Sequence, residues 1–272
     1  MTQKTIDAVV RDLLNEYNYI VVTGKPYGRR NEVIKNIITT FRKDFNLIVL
    51  DWYGFYDNLN LNMLPPNLPY TKAAPYLHLV ASSMLDLNGL KPHVEATVFE
   101  ATASSRSLKE VLAILAAATD KGAKLAYQKL SHLLPYLEDD ETTLQLKNTR
   151  VNLALAKPLH RIPLLQLWIA YTSEVLDTTQ NLLIIDEAGH ALRRCWWIWL
   201  ILDDLQANGT RLVLVDQKIR RNYLRHALIF SDSDLEELYT AFRYRIPEIV
   251  KKKGSWDIIA IAGNRITPIK LI

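Results

Sequence analysis

Apolar and polar positions divide the chain into short apolar runs and longer stretches of helical spacing. Residues 19–23 (YIVVT), 46–50 (NLIVL), 182–186 (LLIID) and 211–215 (RLVLV) are nearly uninterrupted apolar runs. Such runs, lacking strict alternation, predict strands covered on both faces, as in a parallel sheet packed between helices. Between them, residues 7–17, 32–41, 161–176 and about 193–206 place apolar side chains at helical spacing. Pro163 is expected in the first turn of the third of these helices, where a missing N–H is tolerated. Asn208-Gly209 is expected to end the fourth.

Residues 94–136 are again helical in pattern, and Ser107 three residues before Glu110 forms a capping box. Residues 151–155 (VNLAL) predict a further strand, whereas 58–78, with Pro65, Pro66, Pro69 and Pro75, predict an irregular excursion. Residues 256–262 and 266–271, joined by Gly263-Asn264, predict an antiparallel hairpin. Alternating strands and helices predict an α/β fold with a mostly parallel central sheet flanked by helices. It is expected as one domain over 1–272, with a helical insertion at roughly 58–145.

Composition narrows the functional classes. A hydrophobic content of 49% with 23% charged residues excludes a disordered chain. A formal charge of +4 inclines the protein toward anionic partners. The single cysteine, Cys195, excludes a disulfide framework within one chain, and the six scattered histidines show no metal-ligand spacing. Arg11 and Asp12 interrupt the N-terminal apolar pattern, so it predicts an amphipathic helix rather than a secretion signal. The apolar stretch 195–202 is too short to span a bilayer. A cytoplasmic protein with no membrane span is therefore expected.

The chemistry concentrates where strands end. The 182–186 run terminates in Asp186 and Glu187, at the carboxyl edge where open α/β sheets bind ligands. That placement suits Asp186 to hold Mg²⁺ and Glu187 to orient and deprotonate a water; the plainer reading is an acidic strand end that caps the next helix. The 19–23 run leads into Gly24-Lys25-Pro26-Tyr27-Gly28-Arg29-Arg30-Asn31 and then a helix. Strand, glycine-bearing loop and helix is the setting of a phosphate-binding loop.

Together these segments resemble the HerA/FtsK group of RecA-like P-loop ATPases, DNA-translocating hexamers that include conjugation and viral packaging ATPases. The resemblance rests on the 24–31 loop and on the D-x-x-G-x-Y segment from Asp51 to Tyr56. It rests also on Ser104 to Leu108 (an S-x-x-S-L helix start), on Asp186-Glu187-Ala188 and on Asp216-Gln217 at a strand end. It implies a RecA-like P-loop NTPase fold that uses ATP and Mg²⁺. Glu187 would be the general base, Gln217 the γ-phosphate sensor, and Asp186 with Asn31 the metal ligands. Gly24, Lys25, Pro26, Gly28, Arg29, Arg30 and Asn31 would form the phosphate cradle. It also implies DNA as partner and a homo-oligomer, the hexamer being the group's form, or a hetero-partner that is an active relative. The loop begins about two dozen residues in, so a motor core without an N-terminal barrel is expected.

Departures from the family pattern bear on activity. The loop lysine is replaced by Arg30, a bulkier planar cation. The preceding glycine is replaced by Arg29, whose Cβ costs about 1–2 kcal/mol if that position needs a left-handed backbone. Asn31 replaces the Mg²⁺-binding Ser/Thr, Phe55 the glutamate of the Asp51 segment, and Asp216 a threonine. Weakened or lost hydrolysis is expected, although Lys25, Arg29 and Arg30 at a helix N-terminus still suit an anion. Lys218, Arg220 and Arg221, followed by Arg225, Arg243, Arg245 and Lys251 to Lys253, are candidate DNA contacts or the source of an arginine finger. The alternatives are a scaffold or DNA-binding partner subunit without turnover, and a nuclease holding metal on Asp51, Asp186, Glu187 and Asp216.

Overall fold

The computed structural model describes residues 6–85, 88–139, 144–176, 180–193, 195–217, 226–230, 257–262 and 265–269. The apolar runs form strands β1 (Tyr19–Thr23) and β2 (Asn46–Asp51). They are followed by β3 (Asn62–Leu64), β4 (Leu68–Pro69), β5 (Leu137–Glu138), β6 (Thr149–Asn152), β7 (Asn181–Asp186), β8 (Arg211–Asp216), β9 (His226–Phe230), β10 (Ile258–Ala262) and β11 (Arg265–Ile269). Nine of them make one sheet in the order β11-β10-β9-β1-β8-β7-β2-β6-β3. The strands from β9 to β3 run parallel, while β10 and β11 add antiparallel at one edge.

Both faces of the sheet are covered, which explains the continuous apolar runs. Alternate side chains, such as Ile20, Val22, Val49 and Ile184, pack under helices α1 (Ile6–Tyr17) and α2 (Arg29–Phe41) through Leu14, Ile34, Ile37 and Phe41. The opposite alternation, including Val21, Leu50, Leu183 and Ile185, faces a larger core. That core is built by α3 (Tyr70–Ala73), α4 (Leu77–Ser83), α5 (Lys91–Ala103), α6 (Leu108–Ala117), α7 (Lys121–Leu130), α8 (Pro158–Val175), α9 (Ala188–Leu192) and α10 (Trp196–Ala207). No described helix is long and apolar enough to cross a membrane.

Several expectations need correction. The proline-bearing 58–78 stretch is ordered: β3 pairs with β6 at the sheet edge and β4 pairs with β5. An exposed edge strand needs no apolar run and tolerates nearby proline, so the pattern hid it. The insertion is mainly helical, α3 to α7, with the short strands β3, β4 and β5 beside the helices. β6 spans 149–152, and Leu153–Leu155 turns into a 3-10 helix whose start is capped by Asn152, which accepts from the Ala154 N–H. α8 starts at Pro158, so Pro163 lies inside it rather than in its first turn. Burial of nearly every side chain from His160 to Thr172 holds the helix despite the lost hydrogen bond. β9 was not foreseen. The Ser107 cap forms as expected, its hydroxyl accepting from the Glu110 N–H at 3.2 Å.

One side chain pins the excursion to the core. Trp168 of α8 is fully buried, stacks edge-on with Tyr171 at 5.6 Å and donates its indole N–H to the Pro66 carbonyl at 2.9 Å. Trp168→Ala is expected to lower unfolding free energy by about 3–5 kcal/mol in urea titrations. Leu159→Ala, at an 86% exposed position of the same helix, is expected to change it by less than about 0.5 kcal/mol.

Candidate functional site

Strand order and register create the site. β8 lies between β1 and β7, with Thr23 level with Asp216 and Asp186 level with Val215. On the far side of β7, Leu50 of β2 pairs with Ile185. The carboxyl ends of β1, β8, β7 and β2 therefore finish together, bringing Gly24, Gln217, Asp186-Glu187 and Asp51 to one edge. This is where a doubly covered parallel sheet places ligands.

The loop after β1 is folded onto itself. The Gly24 N–H donates to the Asp216 carbonyl at 3.2 Å, and the Gly28 N–H donates to the Lys25 carbonyl at 3.1 Å, closing a turn. The Asn31 side-chain amide donates across the loop to the Pro26 carbonyl. Arg29 is the first residue of α2 and is not among the positive-φ residues, so its Cβ is unstrained. Its guanidinium pairs with Asp257, while Lys25 is exposed. Of the three basic side chains expected around an anion, only Arg30 turns inward.

Arg30 is the centre of the site. Its side chain has 0% exposure. Nη1 donates to the Gly24 carbonyl at 3.0 Å, and Nη1 and Nη2 each lie 3.2 Å from Glu187 Oε1. Nη2 also reaches Asp186 Oδ1 at 3.5 Å. One guanidinium thus ties the loop to both carboxylates. Burial pushes the Asp186 carboxyl well above its ordinary range and Glu187 upward too; Arg30 is the main influence in the other direction for each.

Glu187 is held in a left-handed backbone (φ 54°, ψ 38°) at the junction of β7 and α9. For a residue with a Cβ this costs about 1–2 kcal/mol. The conformation sets its carboxylate against Arg30 on one side and 3.7 Å from His190 Nε2 on the other. Gln217 hydrogen-bonds Glu187 and donates to the Tyr53 hydroxyl at 2.6 Å. Burial, then the charge of Glu187, raises the Tyr53 hydroxyl pKa.

Asp51 serves a different purpose. Its oxygens accept from the N–H groups of Gly54 (2.8 Å), Phe55 (3.2 Å) and Tyr56 (3.1 Å) and from Arg150 Nη1 (3.2 Å). It thereby fixes the turn that presents Tyr53, Phe55 and Tyr56. Gly54 has φ +78°, and a Cβ there would also meet Ala154 at 3.3 Å, so glycine is required. With its oxygens so engaged, Asp51 does not join a metal cluster. Among the described residues no group of three or more His, Cys, Asp or Glu is placed to hold a metal.

Aromatic rings cover the mouth of the site. Tyr53 stacks on Phe55 at 5.0 Å, and Tyr27, 81% exposed, packs edge-on against Phe55 at 5.2 Å. Trp52 stacks on His190 at 4.9 Å. Sequence reasoning did not assign Tyr53 or Arg150 to the site. Arg150 had a partial signal, a cation directly before the predicted 151–155 strand; Tyr53 had none, because its role depends on where Gln217 ends. Lys218, Arg220 and Arg221, with the later basic positions, lie outside the described residues.

A magnesium-bound triphosphate does not fit this arrangement. The guanidinium already lies against both carboxylates, and the loop's Gly28 N–H and Asn31 amide are spent on the carbonyls of Lys25 and Pro26.

Two outcomes are expected from the charge balance. Arg30→Met leaves two buried carboxylates uncompensated and is expected to cost about 3–5 kcal/mol near neutral pH. The pH dependence follows from carboxyl groups raised in the folded state: their stabilising proton uptake is complete below the unfolded value and is lost as pH rises through the folded one. Because Asp186 and Glu187 are both raised, urea unfolding of Arg30→Met is expected to show stability falling as pH rises above the ordinary carboxyl range. Wild type, with the cation in place, is expected to fall less over the same range.

No protein-family model matches the chain, and no curated protein matches it. Among solved structures, VirB4 of Thermoanaerobacter pseudethanolicus aligns with a TM-score of 0.70 at 12% identity, covering 94% of this chain and 89% of that one. The likeness establishes the fold that the two chains share: a mostly parallel central sheet between helical layers, with an antiparallel hairpin at one edge.

Proposed function

We propose that this chain is a HerA/FtsK-like, P-loop-fold protein of DNA translocation or processing whose nucleotide site is held shut from within. It binds no Mg²⁺-ATP and hydrolyses none, and acts in the cytoplasm as a scaffold or DNA-binding subunit. It assembles with copies of itself or with an active relative. The observation that carries this reading is the buried Arg30 guanidinium, which bonds Gly24, Asp186 and Glu187 together. Where the family uses a lysine to cradle phosphate and a metal to balance the strand-end carboxylates, Arg30 balances them directly. The basic positions Lys218, Arg220 and Arg221 supply the charge for phosphate contacts in DNA.

A second reading, residual ATP hydrolysis, draws on the Glu187–Gln217 pair at the sheet edge and on the strained backbone of Glu187. In that reading Arg30 leaves its pocket to contact phosphate, Asp186 and Asn31 take the metal, and Glu187 serves as base.

Calorimetry separates the two. Wild type is expected to give no binding heat with millimolar ATP and Mg²⁺. The combined Arg29→Gly, Arg30→Lys and Asn31→Thr variant is expected to bind ATP, because it reopens the loop and restores its lysine and hydroxyl. Micromolar binding by wild type, lost in Arg30→Ala and accompanied by turnover lost in Glu187→Gln, would overturn the closed-site reading.

A further inference from the structure

Next to the closed site lies an open groove of about 800 Å³ between α7, the start of α8 and the end of α9. Tyr127, Lys129, His132, Leu159, His190 and Arg193 line it, and among the described residues no Asp or Glu lines it. Neither Lys129 nor Arg193 has an ion-pair partner among the described residues. A concave surface that carries cations without carboxylates focuses positive potential on whatever enters it.

The groove also presents rings. Tyr127 is 40% exposed, and His132, stacked on His160 at 5.4 Å, is exposed beside it. The inner wall is His190, which rests flat on Trp52 and faces Glu187. Cations for phosphates and ring faces for bases are the two elements that hold a single strand of nucleic acid. A duplex keeps its base faces stacked inside and offers only the first kind of contact.

We propose that this groove binds single-stranded nucleic acid, with phosphates on Lys129 and Arg193 and a base against Tyr127. The proposal rests on the reading of the protein as a nucleic-acid partner and names residues other than the basic run at 218–221. Because His190 is shared between the groove and the Glu187 environment, a bound strand lies against the wall of the closed site.

The test is fluorescence anisotropy of the full chain with a labelled oligothymidylate across a salt series, with melting temperatures confirming that each variant folds. Lys129→Ala with Arg193→Ala is expected to weaken binding at least tenfold and to reduce the salt slope by about 1.4, at about 0.7 per phosphate contact on a single strand. Tyr127→Ala is expected to weaken it roughly tenfold, the scale of one lost base stack, and Tyr127→Phe to leave it unchanged. Binding that ignores these variants but collapses in Arg220→Ala with Arg221→Ala would overturn the groove while leaving the nucleic-acid reading intact. Absence of oligonucleotide binding under all conditions would overturn both. Binding of oligoglutamate in place of oligothymidylate, lost in the Lys129/Arg193 variant, would overturn the proposal in favour of an acidic peptide.

Discussion

Two carboxylates at the end of a central strand, cut off from water, must have a positive charge beside them, and Arg30 supplies it. Asp186 is fully buried and Glu187 nearly so. Desolvating them without a partner would cost several kcal/mol each. A guanidinium is always protonated and presents several donors in a plane, so it can hold two carboxylates and a loop carbonyl at once. This dependence also explains a pairing that is otherwise hard to understand. The acidic pair stands beside a loop carrying Arg29, Arg30 and Asn31 because the acids are Arg30's counter-charges, and each side would be an uncompensated buried ion without the other.

The rest of the edge is organised around that contact. Arg30 holds Glu187, Glu187 bonds Gln217, and Gln217 donates to Tyr53. Tyr53 sits on the turn that Asp51 caps, and Arg150 balances Asp51 in its turn. Two buried arginines, Arg30 paired with Asp186 and Glu187 and Arg150 paired with Asp51, thus hold the 24–31 loop and the 51–56 turn at the same sheet edge. His190 extends the same arrangement outward through its stack on Trp52. The resulting edge is preorganised by side chains that bond one another.

Much of the fold was legible in the residues because doubly covered strands require apolar runs. β1, β2, β7 and β8 fall where YIVVT, NLIVL, NLLIID and RLVLV stand. β3 was not legible, since an edge strand with exposed Asn62 and Met63 carries no such requirement. The start of α8 was misplaced because Pro163 looked like a first-turn residue, and tertiary burial overrode the local rule. At the site, spacing located the loop and the acidic pair but gave no direction for Arg30. A long side chain can face solvent or core from the same helical position, and only the register that sets Asp186 beside the loop decides between them. The same limit hid Tyr53, whose partner comes from a strand more than a hundred residues away.

The most direct measurement is NMR of the Arg30 guanidinium in protein labelled on arginine nitrogen, with Arg30→Lys used for assignment. A buried guanidinium bonded to two carboxylates is expected to show resolved, slowly exchanging Nη protons. These signals are expected to stay in place when ATP and Mg²⁺ are added to saturating concentrations. Averaged, fast-exchanging Arg30 signals, or signals that shift on titration with ATP and Mg²⁺, would mean that the arginine is free to serve a phosphate and would contradict the closed site.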